Sequence, residues 1–274
     1  MSAHAARTAA VATGESLARI RAQRPLVHQI TNFVVMNETA NATLAIGALP
    51  VMAHAPEEVA EMATVAGALV LNIGTLTNDW VDSMILAGRA ANAAGVPVVL
   101  DPVGAGATTL RTQSAQRILT EVAVAIVRGN AAEIATLAGR GAEIRGVESV
   151  GTSDDIGDLA TAAASALGCT VAVTGAVDAV SDGATTLRIA NGDPLLAMVT
   201  GTGCIASAIT GCFAAVNRDR PLQAAAEALV ALGVAGEDAA AVSRGPGSFH
   251  VALYDALYAL SPDTVDARAR VTSS

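Results

Sequence analysis

Short, nearly unbroken apolar runs alternate along this chain with longer, Ala-rich stretches. The runs Leu26–Ile30, Leu49–Ala53, Ala68–Ile73, Val96–Leu100, Val122–Val127 and Thr170–Val173 read as strands. Continuous apolarity of this kind marks strands covered on both faces, as in a parallel sheet. Helices fill the intervals. One spans about Glu15–Gln23 and ends near Pro25, because the residue before a proline is pushed out of the α region. A second runs roughly from Phe33 to Ile46, with Thr31-Asn32 as its cap. A third opens at Ala55-Pro56-Glu57-Glu58, and a fourth ends near Ala94 with Gly95 as its stop.

Arg140–Asp158 reads as loop plus helix start, capped at Ser153-Asp154-Asp155. Ser181-Asp182-Gly183 marks a hairpin turn from which Thr185–Ile189 returns antiparallel. Two Ala-rich helices, about Leu222–Val242 and Phe249–Leu260, are joined by Gly245-Pro246-Gly247-Ser248. The pattern amounts to about seven parallel-type strands plus one antiparallel ribbon, an α/β doubly wound sandwich with a mostly parallel central sheet. No linker or composition break divides it, so residues 1–274 are expected to form one domain with frayed ends at about 1–13 and 262–274.

The chemistry concentrates at Thr200-Gly201-Thr202-Gly203-Cys204, which leads into a small and apolar helix reaching Val216. Glycine admits backbone angles closed to other residues and lets a ligand approach the main chain. The first amides of the helix have no intrahelical acceptor and carry the positive end of its dipole, which makes an anion site. The same pattern also fits a close-packed helix start with a buried cysteine. Two other strand ends are expected at the same edge: Asp101 with its Gly-rich turn, and Arg128-Gly129-Asn130-Ala131-Ala132-Glu133. Two carboxylates near phosphate suit Mg²⁺, and Arg128 suits a nucleotide phosphate. Cys204 at the helix mouth is expected to have a lowered pKa and to accept a proton from an attacking hydroxyl. Glu133 also fits plain helix capping, Met52 at its strand end fits the core better than the wall of an apolar pocket, and a generic nucleotide-binding fold fits the same spacing.

Composition narrows the choice. The net charge of −9 disfavours nucleic acid and anionic membrane as partners. All 16 basic residues are arginine, which removes P-loop, Schiff-base and pyridoxal phosphate lysines. Three cysteines without metal-site or framework spacing suit a reducing, cytoplasmic setting. The first dozen residues lack the basic start and apolar run of a secretory leader, and no apolar run is long enough to span a membrane. The interior must be built from Ala, Val, Leu and Ile, since 52% of residues are hydrophobic but only 2% aromatic.

A set of motifs from about Leu17 to Leu260 resembles the hydroxyethylthiazole kinases of the ribokinase-like superfamily. They are Gln29-Ile30-Thr31-Asn32, Ala48-Leu49-Pro50-Val51-Met52, Leu71-Asn72-Ile73-Gly74-Thr75-Leu76, Asp101-Pro102-Val103-Gly104-Ala105, Arg128-Gly129-Asn130-Ala131-Ala132-Glu133-Ile134, Val173-Thr174-Gly175, Thr200-Gly201-Thr202-Gly203-Cys204 and Gly245-Pro246-Gly247-Ser248-Phe249. The resemblance implies a ribokinase-like fold and ATP- and Mg²⁺-dependent phosphorylation of 4-methyl-5-(2-hydroxyethyl)thiazole in thiamine biosynthesis. It also implies a homotrimer with active sites between subunits. Carried over by position, Met52, Gly201 and Asn32 would contact the thiazole alcohol, and Arg128, Thr174, Gly175, Thr202 and Gly203 would contact ATP. Asp101 and Glu133 would be the Mg²⁺-linked acids, and Cys204 would stand where related sugar kinases carry an aspartate base. Three other readings remain: a related kinase of a pyrimidine- or pyridoxine-type alcohol, a nucleotide sensor without turnover, and a Cys-nucleophile acyl transferase. The last is disfavoured because no His lies near Cys204 in sequence.

Overall fold

A computed structural model describes residues 7–8, 11–139 and 153–273. Its centre is a ten-stranded sheet of order β1-β10-β9-β8-β7-β6-β5-β4-β2-β3. The strands are β1 (Arg7–Thr8), β2 (Leu26–Ile30), β3 (Leu49–Val51), β4 (Ala68–Asn72), β5 (Val98–Asp101), β6 (Ile126–Asn130), β7 (Thr170–Thr174), β8 (Asp178–Ser181), β9 (Thr186–Ile189) and β10 (Val271–Ser273). Strands β3, β2, β4, β5, β6 and β7 are parallel, whereas β8, β9, β10 and β1 continue the sheet antiparallel.

The helices are α1 (Thr13–Gln23), α2 (Met36–Ile46), α3 (Val59–Val65), α4 (Asn78–Ala93), α5 (Thr109–Glu121), α6 (Ala131–Leu137), α7 (Ser153–Leu167), α8 (Thr202–Val216), α9 (Pro221–Val242), α10 (Pro246–Ala259) and α11 (Pro262–Arg268). Strand residues send alternate side chains to opposite faces, and each face has its own core. Val27, Val70, Val99 and Ala172 join Leu17, Ile46, Phe213 and Phe249 beneath α1, α2, α8, α9 and α10. Leu69, Leu71, Leu100, Val127 and Val171 join Val59, Met84, Ile118 and Ala160 beneath α3 to α7. Burial on both faces is why the central strands lack polar alternation: all five residues of β4 are buried.

The α/β, doubly wound expectation therefore stands, with local corrections. Among the described residues six strands are parallel, not about seven, and Pro194–Met198 forms a 3₁₀ turn before α8. The segment 262–274 was expected to fray, but α11 buries Val265 and β10 pairs with β9 and β1, burying Val271. Helix α2 starts at Met36 and not Phe33, because the Asn32 carbonyl and side chain hold Val35 and Val34 in a turn. Helix α3 likewise starts at Val59, after a turn over Pro56–Glu58, and α10 starts at Pro246. The expected loop over Arg140–Asp158 lies outside the described residues up to 152, and α7 then begins at Ser153. Among the described residues no helix is long and apolar enough to cross a membrane.

Candidate active site

The carboxyl ends of β4, β5, β6 and β7 open toward the start of α8. Asn72 is the last residue of β4 and Asp101 the last of β5, and the two are partners in register. Asn72 Nδ2 donates to Asp101 Oδ2 at 2.8 Å and lies 3.2 Å from Cys204 Sγ. Asn32, just past β2, donates through Nδ2 to Asn72 Oδ1 at 2.8 Å and approaches Cys204 Sγ at 3.5 Å. One turn into α8, Ser207 Oγ donates to Asp101 Oδ2 at 2.8 Å. Asn32, Asn72, Asp101, Cys204 and Ser207 thus form one buried or half-buried network at the helix mouth.

Gly201 caps α8 with φ +88°, in the region that favours glycine, and a Cβ there would meet Val35 Cγ1 at 2.7 Å. No side chain caps the helix, and the Gly201 carbonyl already accepts the Ile205 N–H. The amides of Thr202, Gly203 and Cys204 are left as donors for a ligand. The Thr202 hydroxyl turns backward instead, donating to the carbonyls of Leu196 and Val199 at 2.6 and 3.1 Å.

Burial of the Asp101 carboxyl raises its pKa to about 6, against the opposing pull of Arg128 and the Ser207 and Asn72 donors. Its Oδ2 lies 4.0 Å from Arg128 Nη1, while its Oδ1 is buried without a hydrogen-bond partner, as is Arg128 Nε. The Cys204 thiol is pushed up to about 11, first by burial and then by the Asp101 charge; Asn72, Asn32 and Arg128 oppose this incompletely. The expected lowering at the helix N-terminus is therefore overturned. Withdrawal from water and a neighbouring carboxylate favour the protonated thiol in the ligand-free chain.

Glu133 forms a capping box with Asn130 at the start of α6. Its Oε2 accepts the Asn130 N–H at 2.9 Å, and its Oε1 accepts the Gly104 N–H at 2.8 Å across the loop after β5. The carboxylate thus caps α6 and braces the loop that follows Asp101. Two carboxylates are enough for Mg²⁺, which completes its shell with water and phosphate oxygens. Among the described residues no group of three or more His, Cys, Asp or Glu is arranged to hold a metal.

On the other side of α8 lies a cleft of about 530 Å³. Arg128, Thr174, Gly175, Asp178, Thr202 and Gly203 line its polar end, and Pro194, Leu196, Leu229 and Leu232 line its apolar end. Arg128 Nη2 donates to Thr174 Oγ1 at 2.6 Å, and Gly175 N–H donates to Asp178 Oδ1 at 2.9 Å. Burial raises the Asp178 carboxyl to about 6.

The structure gathers Arg128, Thr174, Gly175, Thr202 and Gly203 on one cleft, and Asn32 and Cys204 in the Asn72–Asp101 network, with Arg128 adjoining both. Met52 is half-buried just after edge strand β3, which pairs with β2. Sequence reasoning gave no role to Asn72, Ser207 or Asp178. Asn72 carries the same signal as Asp101, a polar residue ending an apolar strand. Ser207 lies three residues after Cys204 and so shares its helix face. Nothing local marks Asp178.

A model of the hydroxyethylthiazole kinase family matches residues 17–263. The hydroxyethylthiazole kinase of Rubrobacter xylanophilus is 57% identical over 260 residues, covering 94% of this chain and 97% of that one. The hydroxyethylthiazole kinase structure from Pyrococcus horikoshii superposes with a TM-score of 0.87 at 49% identity, covering 96% of this chain and 98% of that one. A ribokinase-like superfamily protein from Enterococcus faecalis shares the fold alone, with a TM-score of 0.62 at 13% identity over 86% of this chain and 87% of that one.

Proposed function

The chain belongs to the hydroxyethylthiazole kinase family, and from that premise we propose that it transfers the γ-phosphoryl group of ATP to the hydroxyl of 4-methyl-5-(2-hydroxyethyl)thiazole, in thiamine biosynthesis. The observation that carries this reading is the position of the α8 N-terminus, between the cleft and the Asn32–Asn72–Cys204 cluster. Nucleotide enters from the cleft side and alcohol from the other, and the transferring group lies against the free amides of Thr202, Gly203 and Cys204.

Phosphoryl transfer leaves little covalent work for a protein, so positioning and charge stabilisation dominate. Arg128, held by Thr174, offers a cation at the polar end of the cleft. The amides at the helix start are preorganised toward charge that develops on the moving phosphoryl group, in line between the two oxygens. Asp101 and Glu133 would hold Mg²⁺, and the unpartnered Asp101 Oδ1 supports this. Bound there, the ion would neutralise phosphate charge. Cys204 would orient the alcohol at the helix mouth, where burial and the Asp101 charge favour its thiol form in the ligand-free chain.

Met52 and Gly201 complete the thiazole side. The place of Met52 at the sheet edge agrees with a homotrimer whose sites lie between subunits, and we read the chain as one kinase domain acting in the cytoplasm. The test is coupled ADP release with Mg-ATP and the thiazole alcohol, against a no-acceptor control and a panel of pyrimidine and pyridoxine alcohols. Thiazole-dependent release is expected. Release with another alcohol alone would move the specificity, and ATP binding without any turnover would leave a sensor.

A further inference from the structure

One wall of the cleft, running into Pro194, is built by a segment that no strand or long helix holds. Asn191, Gly192, Asp193 and Pro194 run from the end of β9 into the 3₁₀ turn, and all four line the cleft. Their support comes from elsewhere in the chain. Glu237, near the end of α9, accepts the Gly192 N–H at 2.9 Å and the Asn191 Nδ2 at 3.2 Å, both on Oε1. The same carboxylate is gripped from the C-terminal side. Arg270 Nη2 reaches Oε1 at 2.5 Å and Arg268 Nη2 reaches Oε2 at 2.9 Å.

Asn191 is buried and tied twice more to that segment, donating to the Arg268 carbonyl at 3.0 Å and accepting the Arg270 N–H at 2.8 Å. Contact with α9 is close enough that a Cβ on Gly233 would lie 2.6–2.8 Å from Asn191 atoms. The link then continues to the reacting end. Leu196 packs over Gly236, and its carbonyl accepts the Thr202 hydroxyl at 2.6 Å, at the first turn of α8.

We infer that Glu237 is a positioning residue for the nucleotide: clamped by Arg268 and Arg270, it fixes the 191–194 wall and so sets how tightly the cleft grips the base and ribose. The inference rests on the reading of this cleft as the ATP site. Phosphates belong at the polar end, beside Arg128 and Gly203, which leaves the Pro194, Leu196, Leu229 and Leu232 end for the flat apolar part of the ligand. The alcohol-side Asn32 and Cys204 bond to Asn72 and to each other and not to this wall. The effect of loosening Glu237 therefore falls on one substrate.

The experiment is steady-state kinetics on the full chain, with KM measured separately for ATP and for the thiazole alcohol. Glu237→Ala is expected to raise the KM for ATP about 5- to 30-fold, the scale of losing charge-assisted hydrogen bonds, with kcat retained at saturating ATP. The KM for the alcohol should stay within about twofold, the size expected for an uncoupled site. Glu237→Gln should recover part of the loss, since an amide oxygen still accepts from Gly192. If Glu237→Ala fails to fold, Arg270→Gln, at a half-exposed side chain, should give a smaller rise of the same kind. An unchanged ATP KM, or equal changes in both KM values and kcat, would overturn the inference. Leu232→Trp, which fills the cleft, separates the two levels. If it leaves the ATP KM unmoved, the cleft is not the nucleotide site. If it raises that KM while Glu237→Ala does not, only the positioning role is lost.

Discussion

Cys204 and Asp101 share a single donor: Asn72 Nδ2 stands 3.2 Å from the thiol sulfur and 2.8 Å from the carboxylate Oδ2. A buried negative charge beside a thiol opposes its ionisation, which favours a carboxylate beside a neutral thiol in the ligand-free protein. This relationship governs most of what the site is expected to do when perturbed.

Cys204→Ala should lower kcat about tenfold or less, well short of the ~10²–10⁴-fold attached to a true proton-transfer group. Affinity for ATP should hardly change, because the thiol does not line the cleft proposed for the nucleotide. The pH–rate profile of the parent should lack a rising limb with a thiol pKa near 7, and alkylation of Cys204 by iodoacetamide should be slow at pH 7.5. Rapid alkylation at that pH would return the thiolate to the mechanism.

Asp101 pays for its position in stability. Its folded pKa, about 6, is above the ordinary 3.8, so the folded state holds the proton more tightly than the unfolded chain. Stability of the ligand-free protein should therefore fall as pH rises from about 4 to about 6, and stay lower above. Asp101→Asn removes an ionised, buried group and should stabilise the ligand-free protein above pH 6, by on the order of 2–3 kcal/mol. The gain should vanish below about pH 4. Activity should drop by about 10²-fold or more, the scale of losing a preorganised charge at the reaction centre. Thermal melts at pH 4 and 7.5, with turnover measured alongside, check both parts; an unchanged melt at pH 7.5 would count against the buried charge.

Glu133 carries two duties in one carboxylate. Glu133→Gln places an amide NH₂ against one of two backbone N–H groups, Asn130 or Gly104. A loss of about 1–3 kcal/mol is expected in denaturant titration, the cost of an unsatisfied buried donor. The Mg²⁺ concentration for half-maximal rate should also rise several-fold. A melt shift with an unaltered Mg²⁺ titration would leave Glu133 as a cap and brace alone.

Gly201→Ala tests the shape of the helix mouth. A side chain at φ +88° costs about 1–2 kcal/mol, and this Cβ also meets Val35. The melting temperature should fall, and the KM for the thiazole alcohol should rise more than that for ATP. Equal effects on both substrates would place the disturbance in the helix as a whole.

Much of this protein was legible in its sequence. Unbroken apolar strands such as Ala68–Ile73 require cover on both faces, which fixes the α/β class, and Asp101 at the end of such a strand has no role in a core. The Thr-Gly-Thr-Gly-Cys stretch likewise announces a free helix start, because local backbone rules alone produce it.

What the chain in one dimension could not decide was environment. The same Cys204 reads as an activated thiolate from its helix position, yet burial and the Asp101 charge push its pKa the other way. Asn72, Ser207 and Glu237 acquire meaning only when the fold brings them to Asp101, Cys204 and Gly192 across many residues of chain. The C-terminal segment, polar and seemingly free, is ordered because β9 offers it an open edge and Asn191 a partner. Strand and helix starts follow from local sterics and patterning, whereas pKa values and clamps depend on distances between segments that only tertiary packing sets.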